Sequence, residues 1–213
     1  MPSVVLPSHD DAALKGLGRA SRERGVPSGW PGTYVPNLSE WKPGDIVLME
    51  ATGFVGMFIK ARQAGSANMA AALANRWSHA AIYVGNGVLV HAVHPAGVQQ
   101  CSVWTYCHHR ALTVRRIDDP AIASAEIAKI AGCAVSHIGE PYSVVEVVMA
   151  ALGWPYSQKP HDASLYCSTF AGLVVAEATG VELASDPQWQ PLFPSTLAAH
   201  SELSAVPLEW RNI

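Results

Sequence analysis

The sequence predicts an α+β domain in which helices pack against a small antiparallel sheet, and three observations support this. Strand-like apolar segments fill the first half of the 213-residue chain and end at Ile117. From Pro120 onward the apolar spacing becomes helical. Between the strand-like segments, Gly85-Asn86-Gly87 is a tight hairpin signal, because Asn and Gly tolerate positive φ. Strands segregated from helices indicate α+β architecture.

The elements follow in chain order. Residues 1–40 are rich in Pro, Gly, Ser and charge and read as an extended N-terminal arm; residues 41–213 form one domain. The body opens with the turn Trp41-Lys42-Pro43-Gly44-Asp45 and the strand IVLME, giving a first strand near 45–49. Residues 53–74, with the Ala-rich NMAAALA, read as mostly helical. HAAIYVG (79–85) and VLVHAV (88–93) form the hairpin, GVQQCSV (97–103) is a further strand candidate, and ALTVRRI (111–117) is a good strand. Helices are expected over 121–133, 142–152 and 166–179, the last stopped by Thr179-Gly180.

Bulk properties exclude some functions. With 49% hydrophobic and 15% charged residues the chain is a folded, core-rich protein. A net charge of -3 and the absence of a basic run longer than Arg115-Arg116 argue against nucleic acid as a partner. No segment has the roughly 20 continuous apolar residues that span a bilayer. The N-terminus MPSVVLPSHDDAALKG lacks the basic start and apolar run of a signal peptide. The expectation is a monomer made in the cytoplasm, or one exported by a route that uses no cleaved signal. Cys101, Cys107, Cys133 and Cys167 lack CxxC spacing and are expected to remain thiols.

Two segments carry the chemistry. In RWSHAAIYVG, His79 sits where a loop becomes an apolar strand; in LYCSTFAGL, Cys167 sits at the expected first turn of a helix. Unpaired N–H groups and the helix dipole favour a thiolate there, and the same donors could stabilise an oxyanion. A nearby imidazole would supply the base of a cysteine hydrolase or acyltransferase. Taken by composition alone, a cysteine on an apolar helix is core filling more often than not.

The ordered set Gly44-Asp45-Ile46-Val47, SHAAIYVG, LVHA followed by Gly97-Val98, and YCSTFAGLV resembles the permuted branch of the NlpC-type papain-like superfamily. It is similar in particular to the YiiX/YaeF-like amidases, with the lecithin–retinol acyltransferase-like enzymes as relatives. The likeness runs over about 41–200 and includes Pro194-Ser195-Thr196. In this branch the histidine precedes the cysteine, as His79 precedes Cys167. The resemblance implies a circularly permuted papain-like fold with residues 41–213 as the catalytic domain, Cys167 as nucleophile and His79 as general base. His91 falls at the place of the third polar residue, where YiiX-like relatives often carry Glu; a His there orients an imidazole but holds an imidazolium less strongly.

Other candidates divide between roles. Tyr166 and Ser168 flank Cys167 and could line the oxyanion site, and Tyr166 could equally be packing. Asp45 reads as structural. Cys101, Cys107, His108, His109 and the nearby His94 match no zinc spacing, so no metal and no cofactor is expected. His137 and His161 read as loop or surface residues.

Three functions follow from the resemblance. The first is a cysteine amidase or endopeptidase acting on peptidoglycan peptides. Since cell wall lies outside the cytosol, that would imply delivery by a contact-dependent system such as type VI secretion, as an antibacterial effector with a cognate immunity protein in the producing cell. The second is a thiol acyltransferase or lipid hydrolase, for which the Met-, Ala- and Gly-rich segment 53–74 could wall an apolar cleft. The third is a non-catalytic binding module, disfavoured because nucleophile and base positions are both filled.

Overall fold

The structure is a computed structural model and describes residues 34–50, 77–107, 112–142, 166–183 and 192–212. Its main sheet holds six antiparallel strands in the order β5-β4-β3-β2-β6-β7: β2 is Ile46–Met49, β3 His79–Gly85, β4 Val88–Val93, β5 Gly97–Ser102, β6 Leu112–Ile117 and β7 Leu203–Val206. A second, two-stranded sheet pairs β1, Tyr34–Pro36, with β8, Trp210–Asn212, so the last residues of the stretch read as an arm run as a strand. Four helices are described: α1 Trp104–Cys107, α2 Ser124–Ser136, α3 Cys167–Thr179 and α4 Pro194–Ala199.

The expected strands near 45–49, 79–85, 88–93, 97–103 and 111–117 are present within a residue or so of their expected ends. At the hairpin turn Asn86 adopts φ 53°, which the Asn-Gly pair predicts. The helix expected over 121–133 instead runs from Ser124 to Ser136. The Asp119 carboxylate accepts a hydrogen bond from the Ala121 N–H at 2.8 Å, holding Pro120–Ala123 in a turn and delaying the helix start. The expected helix at 53–74 lies outside the described residues, as does nearly all of that at 142–152.

Both faces of the sheet are covered. Ile46, Leu48, Ala80, Ile82, Val90 and Ala92 face α2 and α3 and pack with Ile130, Ala134, Phe170 and Val174. Val47, Met49, Ala81, Tyr83 and Leu89 face the other way, against Trp41, Val103 and Tyr106. Two buried faces explain why IVLM is continuously apolar where a half-exposed strand would alternate. Each fully buried aliphatic or Phe side chain contributes about 1.5–3 kcal/mol, and this double layer is what fixes the strands beneath the site.

Two polar devices hold the entry to the sheet. Gly44 adopts φ 101°, and a Cβ there would lie 2.6 Å from the Ile127 carbonyl, so the turn approaches α2 as only glycine allows. Asp45 is fully buried and receives two bonds from Arg116, Nε to Oδ1 at 2.7 Å and Nη2 to Oδ2 at 2.8 Å, along with the Lys42 N–H at 2.8 Å. This fork joins the start of β2 to the end of its antiparallel neighbour β6, which gives Asp45 a structural role.

Candidate active site

The site lies where the β3–β4 hairpin opens. The register of β3 with β4 runs from Gly85↔Val88 to Ile82↔Val90, while β4 continues alone along β5 to Val93↔Gly97. His79 to Ala81 therefore lie beyond the β3–β4 register. The N-terminus of α3 meets this end of β3. Cys167 is the first residue of the helix, and the Ala80 N–H donates toward its sulfur, so the thiol rests against the main chain one residue from His79.

Local sequence explains the helix start. Tyr166 is extended at φ -108°, ψ 168° and forms the N-cap. The Thr169 hydroxyl accepts from the Tyr166 N–H at 3.1 Å and donates to the Tyr166 carbonyl at 2.9 Å, clamping the first turn. Gly180 closes the helix with φ 75°, as the Thr179-Gly180 signal predicts.

His79 and His91 come together on the sheet. His79 Nε2 and His91 Nδ1 are 2.8 Å apart, and both rings are buried. Their side chains lie on one face because Tyr83 pairs with Leu89, and His79 and His91 stand an even number of residues from these two along their strands. A third group joins them that the sequence reading did not single out: the Tyr106 hydroxyl lies 3.0 Å from His91 Nδ1 and 3.4 Å from His79 Nε2, and its ring stacks on that of His79. Tyr106 sits on the short helix α1, next to Cys107, and nothing in its local sequence marks it as a partner of the two histidines.

Burial decides the electrostatics. Desolvation pushes the Cys167 thiol up to about 11, outweighing the Ala80, Ser168 and Cys167 N–H groups that pull it down. The helix start supplies its donors, yet the sulfur is protonated at rest at neutral pH, contrary to the thiolate expected from helix position alone. Burial likewise drops His91 to about 4, so it is a neutral imidazole. A neutral His91 carries a single ring proton, and its other nitrogen, Nε2, is buried with no hydrogen-bond partner among the described residues.

The flanking residues are placed as follows. Ser168 is fully buried; its hydroxyl donates to the Leu192 carbonyl at 2.5 Å, and both its backbone N–H and its side chain act on the Cys167 sulfur, pulling the thiol down. Tyr166 is buried in an aromatic cluster with Tyr142 and Phe193. Burial raises the Tyr142 phenol above the ordinary range, and a thiolate at Cys167 adds to that shift. All four cysteines are thiols. Cys107 lies in the second core, where burial raises its thiol well above the ordinary range, while His108, His109 and His161 lie outside the described residues.

The family described as permuted papain-like amidase enzymes, YaeF/YiiX, C92, matches residues 40–192, well over half the chain. The chain belongs to this family. It is therefore a papain-like cysteine amidase or peptidase with its histidine strand ahead of its cysteine helix, and the matched span contains Cys167, His79, His91 and Tyr106. The α+β fold of six antiparallel strands packed against helices agrees with that membership. No curated protein matches the chain. Among the described residues no helix of this amidase is long and apolar enough to cross a membrane.

Acid should destabilise the amidase through the buried, neutral His91. Its folded pKa of about 4 lies below the ordinary 6.5, so the unfolded chain takes up the proton first. The stability this group contributes is complete above pH 6.5 and is lost as pH falls toward 4, by about 3 kcal/mol over that window. Urea denaturation at pH 7 and pH 4.5 should show a smaller acid loss for His91→Gln than for the wild type. Equal losses in the two proteins would show that His91 is not held neutral by burial.

Proposed function

We propose that the protein hydrolyses amide bonds in peptidoglycan peptides by covalent catalysis, with Cys167 as nucleophile, His79 as general base and acid, and His91 as the residue that orients His79. The observation that carries this reading is the meeting of the α3 N-terminus with the open end of β3, where the thiol contacts Ala80 beside the His79–His91 pair. His79 Nε2 donates to His91 Nδ1, which leaves proton transfer with the sulfur to Nδ1. Tyr106 braces the pair from α1.

Because the thiol is protonated at rest, His79 acts during the attack. As the sulfur bonds to the substrate carbonyl carbon, the thiol proton passes to His79 Nδ1 and the carbonyl electrons move to oxygen. The N–H groups of Cys167 and Ser168 are donors for that oxyanion. Collapse expels the amine, which takes the proton from His79, and leaves a thioester on Cys167. Water then attacks with His79 again as base, releasing the acid and restoring the thiol. A neutral His91 fixes the ring without adding a negative charge, so the imidazolium is formed only as the reaction proceeds.

An enzyme that cuts cell wall has its substrate outside the cytosol. We infer delivery to a rival's periplasm by a contact-dependent secretion system, with a cognate immunity protein protecting the producer. The test compares digests of purified peptidoglycan and of phospholipid vesicles by mass spectrometry. New amine and carboxyl termini in the wall peptides, absent with Cys167→Ala, are expected. Release of fatty acid or transfer of acyl chains with intact wall peptides would replace this reading with a lipid substrate.

A further inference from the structure

We propose that Cys133, His137 and Glu177 form a zinc-binding site joining α2 to the C-terminal end of α3, distinct from the thiol site. Cys133 and His137 are four residues apart, one helical turn, and so lie on one face of α2. His137 caps that helix in helical conformation, at φ -84° and ψ -2°, so the turn spacing holds to its end. Glu177 reaches them from the last turn of α3. The Cys133 thiol donates to Glu177 Oε2 at 3.0 Å, and His137 Nε2 lies 2.9 Å from that same oxygen. All three ligand atoms fall within 4.8 Å of one another.

The set has the chemistry of a zinc site. Thiolate, imidazole and carboxylate are the three ligand types zinc combines. Bonds of ~2.0–2.3 Å at tetrahedral angles put ligand atoms roughly 3.3–3.6 Å apart, so the 3.0 Å and 2.9 Å spacings to Glu177 need about half an ångström of opening, and the sulfur and nitrogen already lie within 4.8 Å of each other. The other nitrogen of His137 is already held: Nδ1 bonds Glu140 Oε1 at 2.7 Å, the carboxylate–histidine arrangement that orients a zinc-bound imidazole through its Nε2. The Glu177 and Cys133 side chains are accessible enough for a fourth position to be taken by water.

Without a cation the cluster is held by protons. The Cys133 thiol and the His137 ring share one Glu177 carboxylate oxygen, and the ring also meets the Glu140 carboxylate. Zinc binding would displace the thiol proton and any imidazolium proton on His137 Nε2, exchanging a proton-shared cluster for a metal cross-link. Glu177 and Cys167 are ten residues apart on α3, roughly 15 Å along its axis, so a metal here need not touch the catalytic thiol.

The experiment uses the full chain carrying Cys167→Ala, which removes the catalytic sulfur as a competing ligand. Zinc is titrated against a chromophoric chelator, and cobalt(II) is added separately as a spectroscopic probe. The expected result is one zinc per chain at micromolar or tighter affinity, and a thiolate-to-cobalt charge-transfer band. Adding Cys133→Ser should remove that band, and either Cys133→Ser or His137→Gln should weaken zinc binding at least about tenfold. Zinc should also raise the melting temperature of the parent protein more than that of either variant. Absence of zinc binding at micromolar concentrations, unchanged affinity in both variants, or a band surviving in Cys133→Ser would overturn the proposal.

Discussion

Cys167→Ala should abolish amide hydrolysis and leave the fold standing. The substitution removes one sulfur at the first position of α3, where the cap depends on Tyr166 and Thr169 and not on the thiol. Losing one buried heavy atom should cost about 1 kcal/mol, far too little to unfold a domain whose sheet is buried on both faces. Cys101→Ser, Cys107→Ala and Cys133→Ser should each retain most of the activity. Cys107→Ala will lower stability somewhat, because that thiol fills the second core. Circular dichroism and a turnover assay on the same preparations separate loss of chemistry from loss of fold.

His79→Ala should cost roughly 10²–10⁴-fold in kcat, the usual contribution of a positioned proton-transfer group. The loss should stand near the upper end, because a thiol held near 11 has little thiolate to offer without a base. His91→Ala should cost less, since His91 fixes the ring of His79 through one 2.8 Å bond and itself transfers no proton. A variant order in which His91→Ala is as damaging as His79→Ala would reverse the assignment of base and orienting residue. The comparison is read from kcat on one substrate at pH 7.5.

Much of this arrangement was legible in the residues. β-branched runs and the Asn86-Gly87 turn gave the hairpin, and the hairpin puts His79 and His91 on one face. The order of the histidine strand and the cysteine helix carried the family resemblance. The rest depended on tertiary packing. β7 is four residues long and exists because β6 offers an edge, a partner that local patterning does not reveal. Tyr106 reaches the histidines only because α1 folds back from β5. Cys133 and His137 meet Glu177 only when α2 and α3 are side by side, 44 and 40 positions apart in the chain.

The thiol's electrostatics show the same limit. Position at a helix start is readable from sequence and predicts a depressed pKa. Desolvation is not readable there, since it depends on how completely tertiary packing buries the helix start, which leaves Cys167 1% exposed. Burial outweighs the helix-start donors here, and the thiol is shifted upward where helix position alone predicts a downward shift.

The central claim is that Cys167, activated by His79, forms a covalent acyl intermediate. It is tested most directly by incubating the protein with an activated aryl acetate, quenching in acid, and locating the added acetyl group by intact-mass and peptide mass spectrometry. The account predicts a single acetyl thioester on Cys167, absent in Cys167→Ala and formed at least about a hundredfold more slowly in His79→Ala. An acetyl group on Cys101, Cys107 or Cys133 with Cys167 unmodified, or acylation of Cys167 at the same rate without His79, would contradict it.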